Sequence, residues 1–532
     1  MKVITAQEAA ALIPDEAVII GATFGMSGVA EEIFAAIEAR FLAEGKPKNI
    51  SYTHAAGSGN FAPGRSRGED CLAHPGLIKR WVGSHLACSQ GLSSMFDQVE
   101  GWNLPLGTLI HLYKQQARGV PFCFSKVGLG TFIDPRPEIG IGGKVTELAK
   151  KSGVDLVEYM NFNGEDYLVY KGLPLTHAII RASYADEKGN ISFTKAPYRL
   201  ENLIVAQAAK AYKGKVIIEV EQIVPEGTIH PKDVLIPAIY VDYVVVIKEP
   251  ANMLYYPGNR PWDICSTGDV KAVVSESFTK LPLDGEKVSV RRAAMEMAMG
   301  QKCNFGLGMP QLIGSVVAEE GCSALVTMIS ESGAIGGVPM PGPGFGAHVN
   351  PVSFTEQGDH FNYFDHGGLD FGSFGMGEVD SRGGINTSMI SGVLKGCGGF
   401  PNISLAATTS VMLGGFTAGG LKTSVKDGKL VIDQEGKVRK FLKNCIQLSF
   451  NCAESIKRGK KVFYVTERAV FEGTLTGIKL IEIAPGIDLQ KQVLDLMEFK
   501  PEMPEGGPKL MPAALFQENW GGLKAHWESK SK

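Results

Sequence analysis

One local pattern recurs along the chain. A short run of apolar, β-branched residues ends in glycines, and a stretch with apolar positions three and four apart follows. Such runs predict buried strands, and the stretches after them predict helices with one apolar face. Residues 17–20 form a run, Gly21 and Gly25 bracket a turn, and residues 29–42 carry helical spacing, after a short helix expected at 6–12. Further strands are expected at 50–54, 178–183, 215–220 and 239–246. Between 250 and 282 the pattern is lost, which places a linker near 275–285. It restarts with a helix at 290–299 and a strand and glycine turn at 303–308. A helix at 311–319 follows, with Pro310 at its start and Gly321 beyond its end, the asymmetry that helix termini favour. Strands are then expected at 324–329, 462–466 and 479–484. Strand, turn and helix in succession predict an α/β fold with mainly parallel sheets.

Two echoes suggest an internal duplication. The strand–turn–helix of 18–42 resembles that of 304–321, and Ala185-Asp186-x-x-Gly189-x-Ile191 resembles Val379-Asp380-x-x-Gly383-Gly384-Ile385. At 532 residues the chain exceeds one hydrophobic core. Two related open α/β domains are therefore expected, at 1–280 and 281–532.

Candidate chemistry begins with the run at 324–329, which delivers one carboxylate, Glu331, to Ser332-Gly333 and then Gly336-Gly337. Open α/β folds place ligands at the carboxyl ends of their strands, so this is a place to present a reactive carboxylate. The alternative is an ordinary loop carboxylate that follows a strand. Other chemistries lack their motifs. Gly21, Gly25 and Gly28 do not fit a dinucleotide fingerprint, and the sequence has no HExxH pair and no GxxxxGK[ST] loop. Net charge of −3 offers no electrostatic case for nucleic acid or an anionic membrane. Nine scattered cysteines without a CxxC pair argue against a disulfide framework or a structural zinc and for a reducing, cytoplasmic setting. No transmembrane segment and no metal are expected. What remains is a carboxylate among glycine turns, and carboxylates act as covalent nucleophiles on activated acyl groups. The oxyanion formed in such attack needs preorganised N–H donors, each worth about 3 kcal/mol. The turns at Gly306-Leu307-Gly308 and Gly396-Cys397-Gly398-Gly399-Phe400 can supply them, although glycine equally permits tight packing of helix on strand.

Taken together, these residues resemble the class I coenzyme A-transferases, in the single-chain propionate/acetate form that fuses two halves. The matching segments run from the first helix to about Met511. They include Gly128-Leu-Gly-Thr-Phe-Ile-Asp-Pro-Arg136, Glu331-Ser332-Gly333, Gly396-Cys-Gly-Gly-Phe400, Gly414-Gly-Phe-Thr-Ala-Gly-Gly420, Thr466-Glu-Arg468 and Ile483-Ala-Pro-Gly-Ile-Asp-Leu489. The resemblance implies a CoA-transferase fold and a ping-pong reaction through a glutamyl-CoA thioester at Glu331, in the Glu-x-Gly motif. It implies oxyanion donors from Leu307 and from Gly398 or Gly399, and substrate contacts at Leu106, Gly306, Gly308, Gly333 and Gly396. Coenzyme A would be substrate and covalent intermediate, with no permanently bound cofactor. The partners would be acyl-CoA and free carboxylic acids, and the assembly a homo-oligomer, dimer or tetramer. An acyl-CoA hydrolase using the same glutamate is the alternative. Arg65, Arg67, Lys144 and Lys422 are candidates for the nucleotide phosphates. One departure stands out: relatives commonly carry Gln before Gly where this chain has Leu106-Gly107. Leucine there predicts a more apolar acyl pocket.

Overall fold

A computed structural model describes residues 1–25, 27–59, 67–249, 262–273 and 280–530. The chain divides into two compact units. The first comprises 1–269 with two later excursions, 354–361 and 392–402, and the second comprises 270–353, 362–391 and 403–532. The expected linker at 275–285 lies partly outside the described residues.

The first unit is organised on a sheet of eight successive parallel strands. In spatial order they are Lys2–Ile4, Tyr243–Val246, Lys215–Val224, His177–Asp186, Val18–Gly21, Ile50–His54, Ile78–Gly83 and Glu100–Asn103. Ile191–Ser192 and Val234–Ile236 attach to it as antiparallel extras. Strand order reverses between Val18–Gly21 and His177–Asp186, the switch at which such sheets open a crevice. Burial on both faces explains why Ile19, Ile20, Ile217 and Ile218 are all wholly buried. The helix expected at 29–42 spans Glu31–Glu44 and stops where Gly45 turns left-handed. The strand expected at 239–246 is shorter, Tyr243–Val246, because Ala238–Tyr240 coils into a 3-10 turn after Pro237. A separate antiparallel sheet of Phe122–Ser125, Glu165–Lys171 and Val157–Phe162 follows the helix Leu106–Ala117.

The second unit repeats the plan. Thr327–Met328, Lys302–Phe305, Phe371–Gly375, Thr409–Leu413 and Lys461–Val465 run parallel in that order. Ala469–Gly473 and Ile478–Ile483 extend the sheet antiparallel, and Lys509–Leu510 closes the edge. The helix expected at 290–299 begins earlier, at Gly285–Ala294, because Asp284 caps it by accepting from the Lys287 N–H. The strand expected at 324–329 is reduced to Thr327–Met328, since Ser323–Leu325 forms a 3-10 turn. The echo of Asp186 and Asp380 has a shared physical basis. Asp186 Oδ1 accepts from the N–H groups of Lys188, Gly189 and Asn190, and Asp380 Oδ1 from those of Arg382 and Gly384. Each carboxylate thus caps its own hairpin turn. Among the described residues no helix is long and apolar enough to cross a membrane.

Candidate active site

Glu331 occupies the tip of a tight turn in the second unit. The Ser330 N–H donates to the Ala334 carbonyl at 2.9 Å, and the Gly333 N–H donates back to the Ser330 carbonyl at 3.0 Å. Gly333 holds φ at +106°, open to glycine and strained for other residues. Ser332 is wholly buried, and its hydroxyl donates to the Gly346 carbonyl at 2.6 Å. Behind the turn, Ile329 bridges Ile335, and His348 Nδ1 donates to the Gly336 carbonyl at 2.6 Å. The backbone that carries Glu331 is therefore held from both sides.

Among the described residues the Glu331 side chain has no ion-pair or hydrogen-bond partner. It is only half-buried by surface area. Even so, the protein packed around the carboxyl disfavours charge, and burial pushes its pKa up to about 7. A carboxylate that is poorly solvated and unpaired is a stronger nucleophile than one masked by a cation.

The strand next to that of Glu331 ends in the second candidate turn. The Gly306 N–H donates to the Ser373 carbonyl at 2.8 Å, Gly308 takes φ +90°, and Leu307 is exposed between them. Among the described residues the Leu307 N–H has no acceptor. Asn304 ties the neighbouring strands together, its Nδ2 donating to the Ile329 carbonyl at 2.9 Å. Glu331 and Leu307 thus leave adjacent parallel strands at the same, carboxyl edge of the sheet.

Further along that edge a buried ion network braces the Gly414–Phe416 turn. Sequence reasoning quoted Glu467 and Arg468 but gave them no role, and it missed Lys440. Glu467 accepts from the Phe416 N–H at 2.9 Å and from Arg468 Nε at 2.6 Å, and Arg468 also grips Glu435. Lys440 Nζ donates to the Gly415 carbonyl at 2.9 Å, and burial pushes its pKa down to about 8 despite the nearby Glu467. Only the paired charges made the network recognisable, and pairing is not visible along a sequence.

The 396–400 turn belongs to the first unit. Cys397 N–H donates to Asn103 Oδ1 at 3.0 Å, and Gly398 N–H donates to the Ser84 carbonyl at 2.9 Å. The Gly398 N–H is therefore committed, which argues against Gly398 as an oxyanion donor. The Gly399 N–H has no acceptor among the described residues. Gly396 sits at φ +93°, where a Cβ would stand 2.3 Å from the Ser84 carbonyl oxygen. The structure brings Leu106 to this turn, since its N–H donates to the Gly398 carbonyl at 3.1 Å and the Gly107 N–H donates to Asn402 Oδ1 at 3.1 Å. The Leu106 side chain is buried. Ser84, Asn103 and Asn402 were not singled out from sequence. A polar residue closing the strand Glu100–Asn103 was the one available signal.

Of the expected phosphate contacts, Arg65 lies outside the described residues. Lys144 is paired with Asp155, and Lys422 is exposed at the head of the strand Lys422–Lys426.

Comparison with known proteins identifies the family. A sequence profile described as coenzyme A transferase matches residues 3–246. A caffeate CoA-transferase of Acetobacterium woodii is 38% identical over 529 residues, 98% of each chain. The chain belongs to the coenzyme A transferase family. Another member of the family, the acetate CoA-transferase YdiF of Escherichia coli O157:H7, is 37% identical over 519 residues, covering 97% of this chain and 95% of that one. The crystal structure of that acyl-CoA transferase as a thioester complex with CoA matches with a TM-score of 0.90 at 35% identity, over 98% of this chain and 97% of the other. The CoA-transferase fold and class expected from the motifs are thereby established.

Proposed function

We propose that this CoA-transferase moves coenzyme A between an acyl-CoA donor and a short- or medium-chain carboxylate in a ping-pong reaction through Glu331. A Glu331 carboxylate oxygen attacks the donor thioester carbonyl. The C–S bond breaks, and CoA thiolate leaves an acyl-glutamyl anhydride. The thiolate then attacks the glutamyl carbonyl, expelling the donor acid as carboxylate and leaving glutamyl-CoA thioester. An acceptor carboxylate attacks that thioester, thiolate leaves again, and its attack on the acyl carbonyl yields new acyl-CoA and free Glu331. The oxyanion formed on this route would be met by the Leu307 N–H. Of Gly398 and Gly399, the one whose N–H has no acceptor among the described residues, and which we assign to this role, is Gly399.

The observation that supports this reading most is the state of Glu331: a carboxyl without a partner among the described residues, raised to about 7 by burial, at the carboxyl edge of a parallel sheet. Leu106 supports an acyl group with more apolar surface than acetate. We take 1–280 and 281–532 as the two fused halves, a homo-oligomer as the assembly and the cytoplasm as the setting, the last in keeping with nine free cysteines.

Incubation with acyl-CoA alone followed by borohydride tests the assignment, because borohydride reduces a glutamyl thioester to the alcohol. The mass change should fall on the peptide containing Glu331. Modification of another peptide would overturn the reading. Thiol release that dominates over transfer to an added carboxylate would favour the hydrolase.

A further inference from the structure

The antiparallel sheet of Phe122–Ser125, Glu165–Lys171 and Val157–Phe162 has two unlike faces. Register assigns them. One face carries Cys123, Leu168, Tyr170 and Val157, all buried. Cys123 lies against the helix Leu106–Ala117, its Sγ 3.8 Å from the Thr108 carbonyl. The other face carries Phe122 opposite Lys171, Phe124 and Glu158 opposite Val169, Met160 opposite Tyr167, and Phe162 opposite Glu165. An antiparallel sheet with one covered face normally turns polar side chains to water on the other. Here Phe122, Phe124, Met160 and Phe162 are 37%, 51%, 39% and 62% exposed. Single exposed apolar residues are ordinary, but here two pairs share one small sheet face: Phe122 and Phe124, in edge contact at 5.5 Å on one outer strand, and Met160 and Phe162 on the other, across the central strand Glu165–Lys171.

The charges on this face point to its partner. Lys171 pairs with Glu158 at 2.6 Å and Lys126 with Glu165 at 2.8 Å. Each sign occurs twice, so the face has no net charge. A polyanion or an anionic lipid surface gains nothing from it, nor does a strongly acidic or basic protein. A second copy of the same face can lay lysines against glutamates and phenylalanines against one another without forcing like charges together. Three strands about 4.8 Å apart and about 20 Å long present roughly 300 Å². A standard interface covers about 800 Å² per partner, so the face, its two charged pairs included, would form the centre of a larger contact.

We infer that this sheet face is a self-association surface, joining two copies of the chain about a two-fold axis. The inference does not depend on the role of Glu331. Charge reversal in two complementary halves tests it, on the full-length protein. Lys126→Glu/Lys171→Glu makes the face wholly acidic, and Glu158→Lys/Glu165→Lys makes it wholly basic. The parent should sediment as an oligomer at micromolar concentration. Each variant alone should fall to half that mass or less, with dissociation at least ~100-fold stronger. An equimolar mixture of the two should recover the parent mass, which misfolded chains cannot do. A second pair, Phe124→Ser/Phe162→Ser, should dissociate while keeping the parent's circular dichroism. A monomeric parent, including one that instead binds lipid vesicles, overturns the inference. So do reversal variants that keep the parent mass, or a mixture that stays dissociated.

Discussion

Replacing Glu331 by Gln removes the proposed nucleophile and, at the same time, a charge that the fold resists. The carboxyl's pKa stands at about 7 in the folded protein against an ordinary 4.5, and burial is the cause. Below the unfolded pKa the group is protonated in both states and has no effect. As pH rises, the unfolded chain ionises first, and the folded state loses stability until its own pKa is passed. A tenfold change in proton affinity corresponds to about 1.36 kcal/mol, so the rise from the ordinary value costs the parent at most about 3 kcal/mol above neutrality. Glu331→Gln escapes that cost. It should be more stable than the parent by up to about 3 kcal/mol at pH ~8 and by far less at pH ~5. In a domain of this size that difference corresponds to roughly 6–12 °C in the midpoint of thermal unfolding. Calorimetry of both proteins at the two pH values is the assay. The packing of the new amide does not change with pH and cancels in the comparison, as do all other titrating groups. Transfer should meanwhile be abolished, because an amide cannot form the anhydride. A stability difference independent of pH would refute the claim that the protein packed around Glu331 raises its pKa. Transfer near the parent rate would refute its role as nucleophile.

Other outcomes follow from the same geometry. Attack requires ionised Glu331, so kcat/KM for acyl-CoA should rise up to tenfold per pH unit below about 7 and level off above it; a flat profile across that range would contradict the assignment. Gly396→Ala meets both a left-handed φ and a Cβ 2.3 Å from the Ser84 carbonyl oxygen, so turnover should fall at least ~10-fold through displacement of the turn. Gly308→Ala, at φ +90° and ψ −137° with open space where its Cβ would stand, carries only backbone strain of about 1–3 kcal/mol and should cost less activity; equal effects in steady-state assays would discount the contact at Ser84. Leu106→Gln should shift the ratio of kcat/KM towards short or hydroxylated acids by about tenfold, the scale of one lost apolar contact. Unchanged selectivity with lowered stability would make Leu106 a packing residue alone.

Periodicity and motif were enough to read the mainly parallel α/β class and the longer strands, but not the strand order, nor strands such as Ile78–Gly83, Phe371–Gly375 and Thr409–Leu413. The runs that became His177–Asp186 and Lys215–Val224 are long and β-branched, and burial on both faces leaves such runs few other structures. Where residues are few and flanked by turn formers the reading overran, as at 324–329 and 239–246, because local 3-10 coiling competes with strand pairing over such short distances. The Glu-x-Gly motif singled out Glu331 on residue type alone. Its ionisation could not be read there, because a pKa of about 7 comes from atoms packed around the carboxyl by distant segments. The same holds for the 396–400 turn. Its glycines are visible in the chain, but Asn103 holds Cys397 across 294 positions, and Ser84 takes the Gly398 N–H. Of the two N–H groups at Gly398 and Gly399, only that of Gly399 is then without an acceptor among the described residues. Local spacing thus determined which residues could react. Tertiary packing decided which atoms are already engaged and which remain available, because hydrogen bonding and desolvation join residues that the sequence keeps far apart.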